Sequence, residues 1–156
     1  MTESRGKQFE TAVRKSFQAV RGVSIDRIPD QMGGYKGSQN ICDFIVYKKP
    51  YEYYIECKSV HGGTLPFSNI TETQWNGLLA KSKINGVYAG VLCWWVDFDT
   101  TAFINIEYLQ RLKEAGKKSL KCPIGFVYTP RSIVRIFGNK KRVFFEYDMK
   151  EFFDAL

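Results

Sequence analysis

Two carboxylates and a lysine stand close enough in this chain to work as one unit. Asp43 opens the run Asp43-Phe44-Ile45-Val46-Tyr47, and Glu56 and Lys58 close the run Tyr54-Ile55-Glu56-Cys57-Lys58, with a basic turn at Lys48-Lys49-Pro50 between them. Both runs are aromatic and β-branched, and each is short enough for one strand. Side chains alternate faces along a strand, so Glu56 and Lys58 share one face while Ile55 and Cys57 take the other. A turn that pairs Tyr47 with Glu52 sets Asp43 opposite Glu56, where paired Cβ atoms lie roughly 4.5–5.5 Å apart. Two bare carboxylates repel at that spacing, so the arrangement calls for a divalent cation. The expected ion is Mg2+, with Mn2+ able to substitute, because both take hard oxygen ligands. The expected ligands are Asp43, Glu56 and the backbone carbonyl of Cys57.

A cation held in this way supplies what phosphodiester hydrolysis requires: a more acidic water, neutralised charge on the transition state and a stabilised leaving oxygen. Lys58 is then placed to orient or help deprotonate the water and to attract the scissile phosphate. A third acid comes from the N-terminal segment. Phe9, Val13, Phe17 and Val20 recur at helical spacing and Gly22 closes the run, which predicts a helix from Ser4 to about Val20. Glu10 projects toward the buried side of that helix, where it is expected to hold the metal's water shell or a second ion. An E-x-K pair alone is a weak signal, because charged pairs on a strand more often form a solvated face. Asp148-Met149-Lys150 is a decoy of that kind, placed to begin a terminal helix.

At 156 residues the chain suits a single domain with a real core. No apolar run approaches the roughly 20 residues of a membrane span. Nothing in Met1 to Lys7 resembles a signal peptide, so a cytoplasmic location is expected. Cys42, Cys57, Cys93 and Cys122 form no C-x-x-C pair and the single histidine is His61; buried free thiols fit better than zinc ligands. The net charge of +7 favours an anionic partner, with nucleic acid foremost and a merely basic soluble protein as the alternative.

The remaining elements follow from pattern. Val23 to Ile28 reads as a strand, and Pro29 to Asn40 as a glycine-rich loop without the spacing of a P-loop or dinucleotide fingerprint. Ser59 to Phe67 reads as an irregular connection. Thr71 with Gln74 fits a capping box opening a helix whose stripe is Trp75, Leu78 and Leu79. Gly86 to Trp95 is apolar on both faces and predicts a central strand in which Trp94 and Trp95 pack. A strand at 101–105, a helix at 106–115, strands at 132–137 and 143–147 around a turn at 138–141, and a helix from Met149 complete the order. The expected fold is α/β, a mixed central sheet flanked by helices.

Gly6-Lys7-x-Phe9-Glu10, Cys42-Asp43-Phe44, Glu56-Cys57-Lys58 and the stretch Thr64-Leu65-Pro66-Phe67-Ser68-Asn69-Ile70 with Gln74 resemble the RecU-like Holliday junction resolvases of the PD-(D/E)xK nuclease superfamily. The resemblance covers about residues 5–123, including Gly116-Lys117-Lys118-Ser119, and leaves 124–156 outside. It implies a restriction-endonuclease-like core, a Mg2+-dependent endodeoxyribonuclease, branched or four-way-junction DNA as partner, and a homodimer. It implies catalytic roles for Asp43, Glu56, Lys58, Glu10 and Gln74. Two departures stand out. The family's projecting stalk is replaced by about a dozen loop residues between Ile28 and Ile41, and Cys42 stands where an oxygen-bearing side chain is expected. By alternation Cys42 faces away from Asp43.

Arg27, Lys36, Lys81 and Lys83 flank these segments and are the candidates for DNA backbone contacts, with solvated surface charge as the alternative. Tyr51, Tyr53 and Tyr54 suit stacking on bases or packing in the sheet, His61 is a lone loop histidine, and Lys140-Lys141-Arg142 reads as a hairpin turn. Two other functions stay open: a restriction-like or repair endonuclease of the same superfamily acting on other DNA structures, and a non-catalytic DNA-binding module.

Overall fold

The computed structural model describes residues 4–29, 40–124 and 131–156. Helix α1 (Arg5–Gln18) precedes strands β1 (Ser24–Arg27), β2 (Phe44–Lys48), β3 (Tyr51–Val60) and β4 (Thr64–Pro66). Helix α2 (Glu72–Ser82) leads to β5 (Val87–Trp95) and β6 (Thr100–Asn105), then α3 (Ile106–Glu114) and β7 (Ser119–Lys121). The chain ends with β8 (Ile133–Ile136), β9 (Gly138–Lys141), β10 (Phe144–Tyr147) and α4 (Met149–Ala155).

Six strands form one sheet in the order β1-β2-β3-β5-β6-β8. Only β3 and β5 run parallel, because α2 carries the chain across one face between them; the other neighbours are antiparallel. This is the expected mixed α/β sheet. β5 is its central strand and is buried from Ala89 to Trp95, as a strand covered on both faces must be. On one face α2 and α3 pack over Tyr54, Val60, Val91 and Trp95. On the other, α1 and α4 pack over Phe44, Ile55, Leu92, Trp94 and Phe103. The sequence beyond the family resemblance is thus built into the fold: β8 edges the sheet, and Phe152 and Phe153 of α4 close rings against Phe17 and Tyr53 at 5.2–5.7 Å between centroids.

The caps follow from the residues predicted to make them. Ser4 Oγ accepts the Lys7 N–H of α1, and Thr71 and Gln74 exchange both bonds of a capping box at the start of α2. Gly22 and Gly116 carry φ of +79° and +87° just past α1 and α3, where a side chain would be strained. All four cysteines are buried and unbridged.

Three sequence expectations are corrected. Ser59 to Phe67 is not irregular throughout. β3 continues to Val60, and Thr64–Pro66 pairs with β7 through Leu65↔Leu120, a partner more than fifty residues away that no local pattern reveals. The C-terminal hairpin turns at Arg142-Val143 and not at 138–141, since Lys141 pairs with Phe144 and Gly138 with Tyr147. Cys42 does not face away from the acids. Strand pairing begins only at Phe44, so alternation does not extend back to Cys42, which is buried in the cluster holding Tyr54 and Val60. Among the described residues no helix is long and apolar enough to cross a membrane.

Candidate active site

The hairpin register is the expected one: Tyr47 pairs with Glu52, and the regular ladder runs to the Phe44–Ile55 rung. Asp43 lies one residue beyond. Its N–H donates to Ile55 O at 3.1 Å, its carbonyl accepts from Ile28 N–H at 2.8 Å, and its carboxylate oxygen Oδ2 accepts the Cys57 N–H at 2.8 Å. In an extended strand the N–H and C=O of one residue face the same neighbour. The Cys57 carbonyl therefore also faces the Asp43 side, past the end of the β2 ladder.

Glu56 is buried, 4% exposed, on the α2 face of β3. Its Oε2 accepts two donors, Lys58 Nζ at 3.1 Å and Gln74 Nε2 at 2.9 Å. Gln74 is fixed at its other end, where Oε1 accepts the Thr71 N–H at 3.0 Å. The capping box that starts α2 thus aims an amide at the buried acid. Burial pushes the Glu56 carboxyl up to about 8, and the nearby Asp43 charge adds to the rise while Lys58 opposes it. The Asp43 and Glu56 carboxyl groups stand within hydrogen-bonding reach of each other. Near neutral pH the pair therefore retains a proton that a cation between the two groups would displace.

Glu10 reaches the same neighbourhood from α1. The Cys57 thiol is held above its ordinary value first by burial, then by the charges of Asp43, Glu56 and Glu10 in that order, so the charges of all three acids are felt at one residue of β3. Glu10 is bound by Arg27, whose Nε and Nη2 donate to Oε2 at 3.2 and 3.0 Å. The Cys42 thiol, pushed up to about 12 by burial and then by Glu56, donates to Phe44 O at 3.4 Å and is a packed neutral group.

A divalent cation fits this donor set. Two carboxylates within hydrogen-bonding reach, one kept protonated by its burial and then by the other's charge, and a carbonyl turned the same way make a hard-oxygen site that leaves room for water or phosphate oxygens. Among the described residues no third acidic, cysteine or histidine side chain joins them closely enough to complete a metal cage.

The other candidates lie elsewhere. Arg27 sits on β1 with its guanidinium on Glu10. Lys81 lies over the Tyr54 ring at 5.0 Å, and Lys83 stands 3.9 Å from Glu107; both are at the C-terminal end of α2, roughly 10–14 Å along the helix from Gln74. Lys36 and the glycine-rich loop lie outside the described residues. Tyr53 stacks on Tyr88 at 5.5 Å and Tyr54 is buried beneath Lys81, so both pack in the sheet. His61 pairs with Asp97 at 3.1 Å, and the other Asp97 oxygen accepts the Gly62 N–H at 2.6 Å. Sequence reasoning missed Asp97 and the Arg27–Glu10 pair. The register Arg27↔Phe44, one rung from Asp43, is the signal that would have placed Arg27 beside the acids.

The chain is similar in structure to a Holliday junction resolvase, Hjc, from the archaeal hyperthermophile Archaeoglobus fulgidus, with a TM-score of 0.53 over 74% of this chain and 88% of that one at 18% identity. The fold is restriction-endonuclease-like. No protein-family model matches the sequence, and no curated protein sequence does. The likeness carries the fold, and it does not select the RecU-like branch to which the sequence motifs point.

Proposed function

We propose that this protein is a Mg2+-dependent endonuclease that cuts branched DNA, resolving four-way junctions as a homodimer. The observation that carries the reading is Glu56. It is a buried acid pressed by Asp43 and held by Lys58 and Gln74, on a fold like that of a protein described as a Holliday junction resolvase. Nothing about stability calls for two acids in hydrogen-bonding reach of one another, because burying like charges costs free energy. Chemistry on a phosphodiester does call for them.

Asp43, Glu56 and the Cys57 carbonyl would hold the cation, which when bound supplies an acidified water and neutralises developing negative charge. Lys58, 3.1 Å from Glu56, stands where its ammonium can orient that water and attract the scissile phosphate. Gln74 keeps Glu56 in one rotamer. The Asp43–Cys57 hydrogen bond locks the two strands at the point where the ligands converge. A dimer is the economical assembly for a junction with near twofold symmetry that requires two cuts.

The test is cleavage of a panel of labelled DNAs, comprising an immobile four-way junction, a flap, a duplex and a single strand, with and without Mg2+. Paired symmetric cuts in the junction, dependent on Mg2+ and absent from Lys58→Ala, are expected. Cutting confined to ordinary duplex would redirect the reading to a restriction-like enzyme, and metal-independent binding without cutting would redirect it to a binding module.

A further inference from the structure

The hairpin of β9 and β10 takes no part in the acidic cluster, yet it carries Lys140, Lys141 and Arg142 in a row, all exposed. Its anchoring comes from the other strand. Phe144 of β10 lies 5.4 Å from the Trp94 ring centre, and the Tyr147 N–H donates to Ser16 Oγ at 3.0 Å. Lys141 and Arg142 take no part in those contacts. Lys141 stands 4.0 Å from Glu146 with both side chains about 70% exposed, a pair of little worth in water, and Arg142 makes no ion pair among the described residues.

The hairpin is rooted at the end of the sheet that carries the acids. Lys140 Nζ reaches Asp99 at 2.8 Å, in the turn between β5 and β6. The same turn holds Asp97, bonded to Gly62 and His61 just past the end of β3. Lys58 is two residues from that strand end, about 7 Å along the strand. The start of α1 is at this end too, since the Arg5 guanidinium lies 6.0 Å from the Trp94 ring centre. The first turn of α1 contains Arg5 and Lys7 and no acid, against the preference of a helix's positive end. Packing does not explain two separate groups of cations at one strand end, whereas an anion laid across that end does.

We infer that the β9–β10 hairpin, through Lys141 and Arg142 together with Arg5 and Lys7 of α1, grips the phosphate backbone of a DNA duplex on the α1 side of the acidic cluster. The inference rests on the proposed function for its partner, and it assigns the DNA contact to a different surface from Lys81 and Lys83. Lys and Arg contacts to phosphate fix a duplex's position and orientation and carry no base sequence directly.

The test measures binding of a fluorescein-labelled immobile four-way junction and a matched duplex by anisotropy, in EDTA, over a salt series. The Lys141→Gln/Arg142→Gln double variant is expected to bind both DNAs about tenfold more weakly near 0.1 M salt, with the slope of log K against log salt reduced by about two. The control Arg21→Gln/Lys49→Gln removes equal charge at the opposite end of the sheet and is expected to keep the wild-type slope. Unchanged thermal melts show that neither variant acts through folding. A hairpin variant with the wild-type slope, a control that loses as much, or a wild-type chain that binds neither DNA overturns the inference. Binding without metal separates this outcome from the nuclease reading, which fails only if the wild type cuts nothing with Mg2+.

Discussion

Two acids in this molecule each accept hydrogen bonds from a cation, and they are not equivalent. Glu10 is clasped by the Arg27 guanidinium, with a fifth of its side chain still in water. Arg remains charged at any accessible pH and matches a carboxylate with a fork of donors, so this acid is matched in charge and geometry. Glu56 is almost wholly buried, shares its lysine with solvent, and has a second carboxyl group against it. Its donors are too few for its charge. A satisfied acid holds a structure together, whereas an acid left short of positive charge is ready to receive a metal.

Replacing the under-compensated acid should break this difference most. Glu56→Gln and Asp43→Asn are each expected to reduce Mg2+-dependent junction cleavage by about a thousandfold, measured under single-turnover conditions. The same Glu56→Gln change should stabilise the metal-free protein at pH 9 by on the order of 2 kcal/mol in urea unfolding, because it removes a buried charge. Opposite signs for activity and stability are the signature of a functional acid. Loss of both would mark Glu56 as structural.

Titration of the pair gives the next largest effect. The Glu56 carboxyl keeps its proton to about pH 8 in the folded chain, against an ordinary value of 4.5. Between those values the folded form binds the extra proton. This group's contribution to metal-free stability is therefore complete below about pH 4.5 and is lost as pH rises through 8, by at most about 1.4 kcal/mol per unit. A Mg2+ ion held by the ionised pair, as proposed, should raise the melting temperature more at pH 8.5 than at pH 6. An equal shift at both would show that the cation binds elsewhere.

The parts of this site that were legible in the sequence are those set by local periodicity. Strand alternation placed Glu56 with Lys58, the register through Tyr47 and Glu52 brought Asp43 to them, and the capping box put Gln74 at the first turn of α2. The parts that were not depend on chain distant in sequence. β4 finds β7 across more than fifty residues, Asp97 reaches back to Gly62, and Arg27 meets Glu10 only because β1 adds to the far side of β2. Cys42 failed for a different reason: alternation was extended past the end of a ladder, where hydrogen bonding no longer enforces it. The turn at Arg142-Val143 was misplaced because Gly138 and Asn139 carry the residue types of a turn and yet sit in paired strand.

Gln74 serves both the helix and the acid, and two substitutions separate these roles. Gln74→Ala removes the capping bond and the bond to Glu56, and should cost about 1–2 kcal/mol of stability and about tenfold in cleavage. Gln74→Glu preserves the capping box, since Glu serves equally at that position, but sets a third negative charge against Glu56. It should melt close to wild type while losing as much activity as Gln74→Ala or more, with a higher Mg2+ requirement. If Gln74→Glu cleaves normally, the contact with Glu56 is incidental.

The smallest effect belongs to the satisfied acid. Glu10→Gln retains an oxygen that accepts from Arg27 and removes only the charge that Cys57 feels alongside those of Asp43 and Glu56. At that remove, with the Arg27 guanidinium offsetting it, the charge can add little to a cation held by the other two. A loss of cleavage within about fivefold is expected, appearing mainly as a higher Mg2+ concentration at half-maximal rate. Arg27→Ala should be worse than Glu10→Gln, because it leaves a carboxylate near Asp43 without its guanidinium. If instead Glu10→Gln matches Glu56→Gln, the two acids belong to one metal site, and the guanidinium on Glu10 is a counter-ion that metal binding displaces.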